Sequence, residues 1–574
     1  MSALWAFTGP RDDALVERMG AALRHRTGPG PSIVWSTPAA TVAVGAPDRG
    51  SAGIHVADRA AGVGVAFAGR LPAGTDARVL AERIRRHGLA ALECLGGEWV
   101  VVVRTSHRLV VVRDPVGVRT AYWGSHRGRV LVAVEPKGVL AAPGFPRRIH
   151  PPSLAQFLAF SFVPGERCAL ADLFEIQAGH RLEVDLASGA TRSVRWFRPE
   201  EIVSADDDPE AWVARTRAAI DTAIAERLPT GEPVAAFLSG GLDSSLVTAS
   251  AAHLRRRQGE APPTAWSLHF GARYPNEVNY AATAAAAAGV EHRVIEVSGH
   301  VVAERLRRLV WHLDEPIGDP VTVGNFVLAA AASREARWIL NGEGGDPVFG
   351  GPKNLPMLLA HWYPTDGDPR FRERHYLATW RRAGEEVRSL LHPDLVAEID
   401  LERDLLDVVR PYLHASRPEH FLNKLMVMNM RLKGAHLILP KVDRMLGAYG
   451  TAPLSPLFDP EVVRLSLRMP PSAKLRHGTE KWVLKEAYRD LVPDEILRRP
   501  KSGMRVPVRW WFQRDLAPVA RDLLSTRAVR RAGMLNPARV REVRRYQTGR
   551  DGLRLWMLAT LELWRRIVVD GESP

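Results

Sequence analysis

Short apolar runs rich in Val, Ala and Gly recur through the first part of the chain, at 40–44, 62–67, 98–104 and 108–113. Runs of four to eight such residues, bounded by turn residues, predict β-strands. The runs at 99–103 and 109–112 are apolar throughout and are joined by a short polar segment, which predicts a hairpin buried on both faces. We therefore expect a β-rich first domain over residues 1–197.

A different pattern begins after an acidic, loop-like stretch at 199–209, where apolar strands alternate with helical segments. Its first elements, in order, are helix 212–227, strand 234–238 and helix 245–257. Strands that alternate with helices predict a parallel, doubly wound sheet. From about residue 355 the pattern is mostly helical. The expected fold class is α/β, with a second domain over 205–574 that ends in a helical extension.

The composition agrees with a folded protein of more than one domain, because 574 residues exceed what one hydrophobic core usually supports. The net charge of +14 favours anionic partners without choosing among nucleotides, nucleic acids and acidic peptides. Two cysteines exclude a disulfide framework and suit a reducing compartment. No apolar run approaches the ~18 residues of a membrane helix. We expect a cytoplasmic protein that is not anchored to a membrane.

The segment between strand 234–238 and the next helix carries the candidate chemistry, and it reads Phe237-Leu-Ser-Gly-Gly-Leu-Asp-Ser-Ser245. Glycines let the backbone approach an anion closely and a helix N-terminus presents free N–H groups, so we expect a phosphate site. A carboxylate in such a site suits Mg²⁺ that bridges to the phosphates. The residues assigned to phosphate binding are Ser239, Gly240, Gly241, Ser244 and Ser245, with Asp243 as the metal ligand. The alternative is that the glycines only form a turn.

The Walker pattern GxxxxGK[ST] is absent, so the loop is not a P-loop of the kind that binds the γ-phosphate in many NTPases. Segment 239–245 resembles the pyrophosphate-binding loop of N-type ATP pyrophosphatases, and in particular that of the asparagine synthetase superfamily. Further matching segments follow in family order: Trp311-His-Leu-Asp-Glu-Pro316, Asn341-Gly-Glu-Gly-Gly-Asp346, Leu439-Pro-Lys-Val-Asp-Arg-Met445, Thr479-Glu-Lys481 and Arg499-Pro-Lys-Ser-Gly503. The resemblance implies an adenine-nucleotide α-hydrolase-like (PP-loop) domain that splits ATP between the α and β phosphates. Such enzymes activate a carboxylate as an acyl adenylate, which an amine then attacks.

The resemblance also implies the nucleotide contacts and metal ligands. Asp346 joins Asp243 in placing Mg²⁺, and ATP is the nucleotide. The side chains and backbone that line this nucleotide are Leu238, Phe270 and Gly342.

Three charged residues receive catalytic or anion-binding roles from the same resemblance. Lys481 neutralises charge on the pentavalent phosphorus and the departing pyrophosphate, which stabilises the transition state. Lys501 is a second candidate cation for that anion. Glu343 lies beside the reacting acyl group as a base or a positioning group, since an attacking ammonium must lose a proton. A carboxylate that only caps a turn is the alternative for Glu343.

The first domain resembles the N-terminal-nucleophile glutaminase of asparagine synthetases, a β-sandwich whose chain begins Met-Cys-Gly. Here the chain begins Met1-Ser2-Ala3, and Cys94 and Cys168 lie within the chain. At the family's asparagine-glycine oxyanion donor this sequence has Ala68-Gly69, so the side-chain donor is missing. We expect a degenerate domain without glutaminase activity, with residual nucleophilic use of Ser2 as the alternative.

Degenerate first domains of this kind occur in relatives from β-lactam and lasso-peptide biosynthesis, where amide closure is intramolecular. Ala452 and Leu454 stand where the family usually has Glu and Arg, and Pro347 replaces the usual acid after Asp346. The preferred hypothesis is therefore an AMP-forming ligase that closes a macrolactam in a peptide, as lasso cyclases do. A leader-peptide-binding protein and a protease are the partners implied.

Two rival functions remain open at this point. The first is amidation of a small acid with free ammonia or a small amine. The second is a non-catalytic relative that retains the nucleotide cleft. Nucleic-acid binding has no supporting motif, since the Arg-rich stretches are typical of solvated helix faces.

Overall fold

The computed structural model describes residues 2–28, 30, 32–47, 51–58, 63–198, 202–206, 208–351, 354–363, 367–379, 385–500, 503–547 and 551–574. In the first part of the chain these residues form two six-stranded antiparallel sheets. The strands are β1 Ala3–Thr8, β2 Ile33–Ser36, β3 Ala40–Gly45, β4 Ala52–Asp58, β5 Val63–Arg70, β6 Glu98–Arg104, β7 Arg108–Arg113, β8 Tyr122–His126, β9 Arg129–Ala133, β10 Phe174–Glu175, β11 His180–Asp185 and β12 Thr191–Arg195. The strand order is β10-β8-β9-β1-β3-β2 in one sheet and β12-β11-β7-β6-β5-β4 in the other.

Helices cover both outer faces of this sandwich. They are α1 Asp13–Ala22, α2 Arg24–Thr27, α3 Ala77–His87, α4 Pro136–Leu140 and α5 Pro151–Phe160, and a 3₁₀ turn at Gly88–Leu92 follows α3. The sheets face each other through β1, β3 and β5, while α4 packs on β9 and α3 packs on β4 and β5. The predicted hairpin is present, because β6 pairs antiparallel with β7 and both are buried. This layered sandwich confirms the fold expected for the first domain.

The second part of the chain is organised around a five-stranded parallel sheet of described residues. Its strands are β13 Val234–Phe237, β14 Thr264–His269, β15 His292–Glu296, β16 Trp338–Leu340 and β17 Ala452–Leu454, in the order β15-β14-β13-β16-β17. The chain runs outward from β13 to β15 and then returns to the other side of β13 for β16. This reversal opens a crevice at the carboxyl ends of β13 and β16, where ligands bind in open α/β sheets.

Helices surround this sheet and continue to the end of the chain, as expected. They are α6 Pro209–Ala225, α7 Leu242–Arg257, α8 Val278–Ala288, α9 Gly299–Leu313, α10 Val321–Ala332, α11 Gly345–Phe349, α12 Leu355–Trp362, α13 Phe371–Thr379, α14 Glu385–Leu390, α15 Pro393–Ala397, α16 Leu401–Leu406, α17 Arg410–Leu413, α18 Phe421–Asn429, α19 Leu439–Gly447, α20 Pro460–Arg468, α21 Pro471–Lys474, α22 Trp482–Ala487, α23 Asp494–Arg498, α24 Val508–Gln513, α25 Ala517–Leu523, α26 Thr526–Ala532, α27 Pro537–Tyr546 and α28 Asp551–Trp564. The short strands β18 Leu475–Arg476 and β19 Thr479–Glu480 form a separate hairpin, and π-helical turns span Met430–Ile438 and Arg565–Val569. Among the described helices, none is both long and apolar enough to span a bilayer.

Buried ion pairs join the two parts of the chain. Asp443 on α19 accepts hydrogen bonds from Arg26 and Arg119, and the Arg119 contact measures 2.7 Å between Nη1 and Oδ1. Arg444, also on α19, lies 3.3 Å from a carboxylate oxygen of Glu135. Removing one member of such a buried set leaves an uncompensated charge, at a cost of about 3–5 kcal/mol. The charges therefore fix α19 against the first domain.

The segment that contains Asp314 and Glu315 belongs to this interface. Asp314 accepts hydrogen bonds from Lys137 at 2.9 Å and from Arg444 at 3.0 Å. The backbone N–H of Ala169 donates to Glu315 at 2.9 Å. Burial raises the pKa of Glu315 to about 8, so this carboxyl group is mostly protonated at neutral pH. Both residues therefore contribute to the contact between the two parts of the chain.

We predict that Glu315→Gln stabilises the protein at pH 8 and leaves its stability near pH 4 unchanged. The folded protein binds a proton at Glu315 between the ordinary pKa of 4.5 and about 8, whereas the unfolded chain does not. Stability therefore falls as pH rises through this window, by up to about 1.4 kcal/mol per pH unit, and the amide removes the effect. Thermal unfolding at both pH values measures it.

Glu398→Gln, which changes an exposed carboxylate on the surface, is the matched control and leaves both melting temperatures unchanged. An equal shift of the Glu315→Gln melting temperature at the two pH values would contradict the assignment.

Candidate functional site

The loops that follow β13 and β16 touch each other at the crevice. The loop after β13 comprises residues 238–241 and leads into α7, and the loop after β16 comprises 341–344 and leads into α11. A Cβ atom at Gly342 would stand 2.4 Å from the backbone N of Ser244, so only glycine permits this approach. The start of α7 is thus held directly against the end of β16.

Three charged side chains meet where these loops touch. Lys481 Nζ lies 2.8 and 2.7 Å from the two carboxylate oxygens of Asp243 and 2.5 Å from Oδ1 of Asp346. Lys481 is 5% exposed, whereas the side chain of Asp346 is 39% exposed, so the cluster opens to solvent on the Asp346 side. The structure therefore brings together two predicted metal ligands and the predicted catalytic lysine.

Tight backbone geometry holds this cluster. Lys481 adopts a left-handed conformation with φ of 52°, immediately before α22. At Gly345 a Cβ would stand 2.2 Å from Oδ1 of Asp243. Residues with side chains at position 345 would therefore displace the Asp243 carboxylate.

The phosphate loop differs from the prediction in where its helix begins. The pattern placed the helix start at residue 245, but α7 begins at Leu242 with Gly241 as its N-cap. Ser244 and Ser245 consequently lie in the first turn and are buried. The Ser244 hydroxyl donates to the Gly241 carbonyl oxygen at 3.2 Å and so supports the loop from within.

Other atoms of the loop remain accessible. Ser239 is exposed, and its Oγ accepts a hydrogen bond from the Gly241 N–H at 3.3 Å. Gly240 has φ of 73°, and a Cβ there would stand 2.5 Å from the backbone N of Ala281. The first N–H groups of a helix have no partners within it, so the start of α7 points donors at any anion above the loop.

Apolar and aromatic groups flank the loop. Leu238 is 1% exposed and Phe270 is 5% exposed, with the Phe270 ring 5.4 Å from that of Trp511 in an edge-to-face arrangement. Arg499 donates to the Gly240 carbonyl oxygen at 3.0 Å and lies over the Tyr280 ring. Arg499, the first residue of the segment 499–503, therefore supports the loop. The predicted anion ligand Lys501 lies outside the described residues.

Glu343 is half-buried beside a lysine to which the sequence analysis assigned no role. The Glu343 backbone N–H donates to Oδ1 of Asn341 at 3.1 Å. Lys441 on α19 is buried and donates to Asp319 at 3.1 Å. Burial opposes the charge of Lys441, but the carboxylates of Asp319 and Glu343 outweigh it and raise the pKa of this lysine. Lys441 lies in the segment 439–445, which the resemblance to the family indicated. Its burial beside Asp319 and Glu343 depends on tertiary packing, which the sequence pattern does not contain.

In the first domain, the candidate nucleophile Ser2 is buried. Ser2 is 4% exposed, and its Oγ has no hydrogen-bond partner among the described residues. At Gly69, a Cβ would stand 2.1 Å from the carbonyl oxygen of Glu98, so the backbone packs tightly at this position. Cys94 is exposed and Cys168 is buried, and both are free thiols.

Comparisons with known proteins agree with this geometry. The asparagine synthase model matches residues 215–566 and the glutamine amidotransferase domain model matches residues 66–197. Asparagine synthetase [glutamine-hydrolyzing] 1 of Bacillus subtilis is 25% identical over 78% of this chain and 74% of that protein. Carboxyethyl-arginine beta-lactam-synthase of Streptomyces clavuligerus is 26% identical over 83% of this chain and 77% of that protein.

The asparagine synthase match covers more than half of the chain and includes both loops of the crevice and Lys481. The chain therefore belongs to the asparagine synthase family of ATP-dependent ligases.

Proposed function

We propose that the protein adenylates a carboxylate and transfers the acyl group to an amine, releasing pyrophosphate and then AMP. The observation that carries this proposal is the Lys481 ammonium held between Asp243 and Asp346 at the N-terminus of α7. A carboxylate oxygen of the substrate attacks the α-phosphorus of ATP, and the bond to the pyrophosphate oxygen breaks. Lys481 stabilises the charge that develops on the phosphorus and the leaving group.

The two carboxylates suit a magnesium ion that arrives with the nucleotide. Both reach one ammonium group, so they are close enough to share one ion. Among the described residues no group of three or more His, Cys, Asp and Glu side chains is arranged to hold a metal. Mg²⁺ is commonly bound by one or two carboxylates together with substrate phosphates, and Asp243 and Asp346 fit this mode. The ion would neutralise phosphate charge.

The second step requires a deprotonated amine next to the acyl adenylate. The amine nitrogen forms a bond to the acyl carbon, AMP leaves, and a proton passes from the nitrogen to a base. Glu343 stands at the end of β16 beside Lys441, with its backbone fixed by Asn341. We assign to Glu343 the role of accepting the proton from the amine or of positioning the amine. We assign to Lys441 the role of orienting the Glu343 carboxylate.

The nitrogen source is proposed to be the substrate itself. Ser2 stands where glutaminases of this kind have a nucleophilic cysteine, and it is buried, which supports a nitrogen source other than glutamine. The carboxyethyl-arginine beta-lactam-synthase is a relative whose name describes lactam formation. Ala452 and Leu454 are buried in β17 beside β16, which leaves this edge of the crevice uncharged. Closure of a macrolactam in a peptide, as in lasso cyclases, fits these features, with a leader-peptide-binding protein and a protease as the proposed partners.

A second candidate function is amidation of a small acid with free ammonia, as the name of the asparagine synthetase relative suggests. The same adenylation chemistry serves both functions, so added ammonium is the discriminating reagent. Stimulation of amide formation by ammonium with small acids favours this second candidate.

We predict that Asp243→Ala lowers the rate of AMP and pyrophosphate release at least about a hundredfold. The magnesium ion that would neutralise the phosphates loses one of its carboxylate ligands in this variant. The assay contains ATP, Mg²⁺, hydroxylamine and a pool of small acids and acidic peptides. Asp394→Ala, which removes an exposed carboxylate from α15, is the matched control and retains activity. Release of ADP instead of AMP would overturn the proposed mechanism.

We predict that Lys481→Met lowers the rate of pyrophosphate release about 10²–10³-fold while a nonhydrolysable ATP analogue still binds. The lysine acts on charge that appears only in the transition state, so Lys481→Arg restores part of the rate. Stopped-flow pyrophosphate detection and calorimetric binding measure the two effects. Equal losses of analogue binding and rate would instead indicate that Lys481 only holds the two carboxylates.

We predict that glutamine neither yields glutamate nor serves as a nitrogen source, and that Ser2→Ala leaves ligase activity unchanged. Ser2 Oγ is buried and contacts no described partner. Glutamate release measured by mass spectrometry tests this directly. Glutamate formation that disappears in Ser2→Ala would show that Ser2 is a working nucleophile.

A further inference from the structure

A single short segment carries an unusual share of the exposed apolar surface. Nine large apolar or aromatic side chains are exposed among the described residues, and four of them lie in and just after α12. These four are Leu355 at 37%, Leu359 at 56%, Trp362 at 68% and Tyr363 at 77% exposure. Contiguous exposed apolar surface of this kind marks binding sites more often than scattered single side chains do. We refer to these four residues as the α12 stripe.

The α12 stripe is one face of the helix. Leu355, Leu359 and Trp362 are spaced by four and three residues, which places them on the same side. Met357 and Leu358 face the interior and are 1% and 8% exposed. Core packing therefore does not explain the apolar character of the outer face.

The stripe begins beside the proposed metal ligands. A Cβ at Gly351 would stand 2.8 Å from Oδ1 of Asp346, and the N–H of Asn354 donates to the Gly351 carbonyl oxygen at 3.0 Å. Asn429 donates to Oδ1 of Asn354 at 3.0 Å and fixes the start of α12. The eight residues of α12 then extend over about 12 Å, the length of about four residues of extended peptide. A small acid is too short to contact both Asp346 and the far end of the stripe.

A guanidinium group and two stacked rings lie beside the apolar face. His361 stacks on Phe421 with 4.1 Å between the ring centroids, and the Arg372 guanidinium lies over the same ring at 5.6 Å. The surface therefore offers apolar contact together with the positive charge of Arg372, which suits an acidic, apolar peptide.

We propose that the α12 stripe docks the apolar segment of an acidic peptide whose carboxylate is activated at Asp243 and Asp346. The proposal rests on the adenylation function above and deepens it, because it names the surface that recognises the peptide. Docking of several residues along α12 places the side-chain carboxylate over the crevice, with the Arg372 guanidinium beside the docked segment.

Two short synthetic peptides test the proposal, each with one Glu at its centre. In one peptide Leu and Phe flank the Glu, and in the other only Gly and Ser do. Fluorescence anisotropy of the labelled peptides is measured with the full chain, the double variant Leu359→Ser/Trp362→Ser and the control Tyr546→Ser, which truncates a side chain 60% exposed on α27. We expect the apolar peptide to bind the unaltered protein and Tyr546→Ser equally, and the double variant about tenfold more weakly.

The same samples are assayed for AMP release, which separates failure of the docking site from failure of the function. Binding that depends on the stripe without AMP release would support the docking surface and contradict adenylation. AMP release from the apolar peptide at equal kcat/KM in the unaltered protein and the double variant would overturn the docking surface alone. A dimer seen by sedimentation that becomes a monomer in the double variant, with unchanged peptide binding, would show that a second copy covers the stripe and would also overturn the proposal.

Discussion

The ammonium group of Lys481 lies between the carboxylates of Asp243 and Asp346, and this contact joins three distant parts of the chain. One carboxylate comes from the start of α7, the other from the segment after β16, and the lysine from the turn before α22. Without the cation, two carboxylates in a largely buried crevice would repel each other and any phosphate. In the proposed reaction the same cation stabilises the negative charge that develops on the departing pyrophosphate. The contact that stabilises the crevice therefore also serves the proposed chemistry.

The first domain contacts α19, the helix that also carries Lys441. Asp443 and Arg444 connect α19 to Arg26 and Glu135 of the first domain, while Lys441 points toward Asp319 and Glu343. Lys441 and Asp443 are two residues apart and lie about 200° apart around the helix axis, so α19 contacts the crevice and the first domain at the same time. The first domain thereby supports the helix that places Lys441 at the crevice.

The fold and the location of the site were predictable from sequence, because both depend on local patterns. The alternation of strands and helices predicted the parallel sheet, and the Ser239-Gly-Gly segment predicted the loop between β13 and α7. The contact between Arg26 and Asp443 and the role of Lys441 depend on tertiary packing, which no local pattern contains. The exposure of Trp362 could not be predicted from the sequence either, because a large apolar residue in a helix is usually buried in the core. The assigned roles of Glu343 and Lys481 stay predictions.

The central claim, that a substrate carboxylate attacks the α-phosphorus of ATP, is tested most directly by oxygen transfer. Acidic peptides and small acids labelled with ¹⁸O in their carboxylates are incubated with the protein, ATP, Mg²⁺ and hydroxylamine, and the nucleotide product is examined by mass spectrometry. The account predicts AMP that carries one ¹⁸O atom, because the adenylate leaves with one carboxylate oxygen. Unlabelled AMP, or labelled phosphate together with ADP, would contradict it.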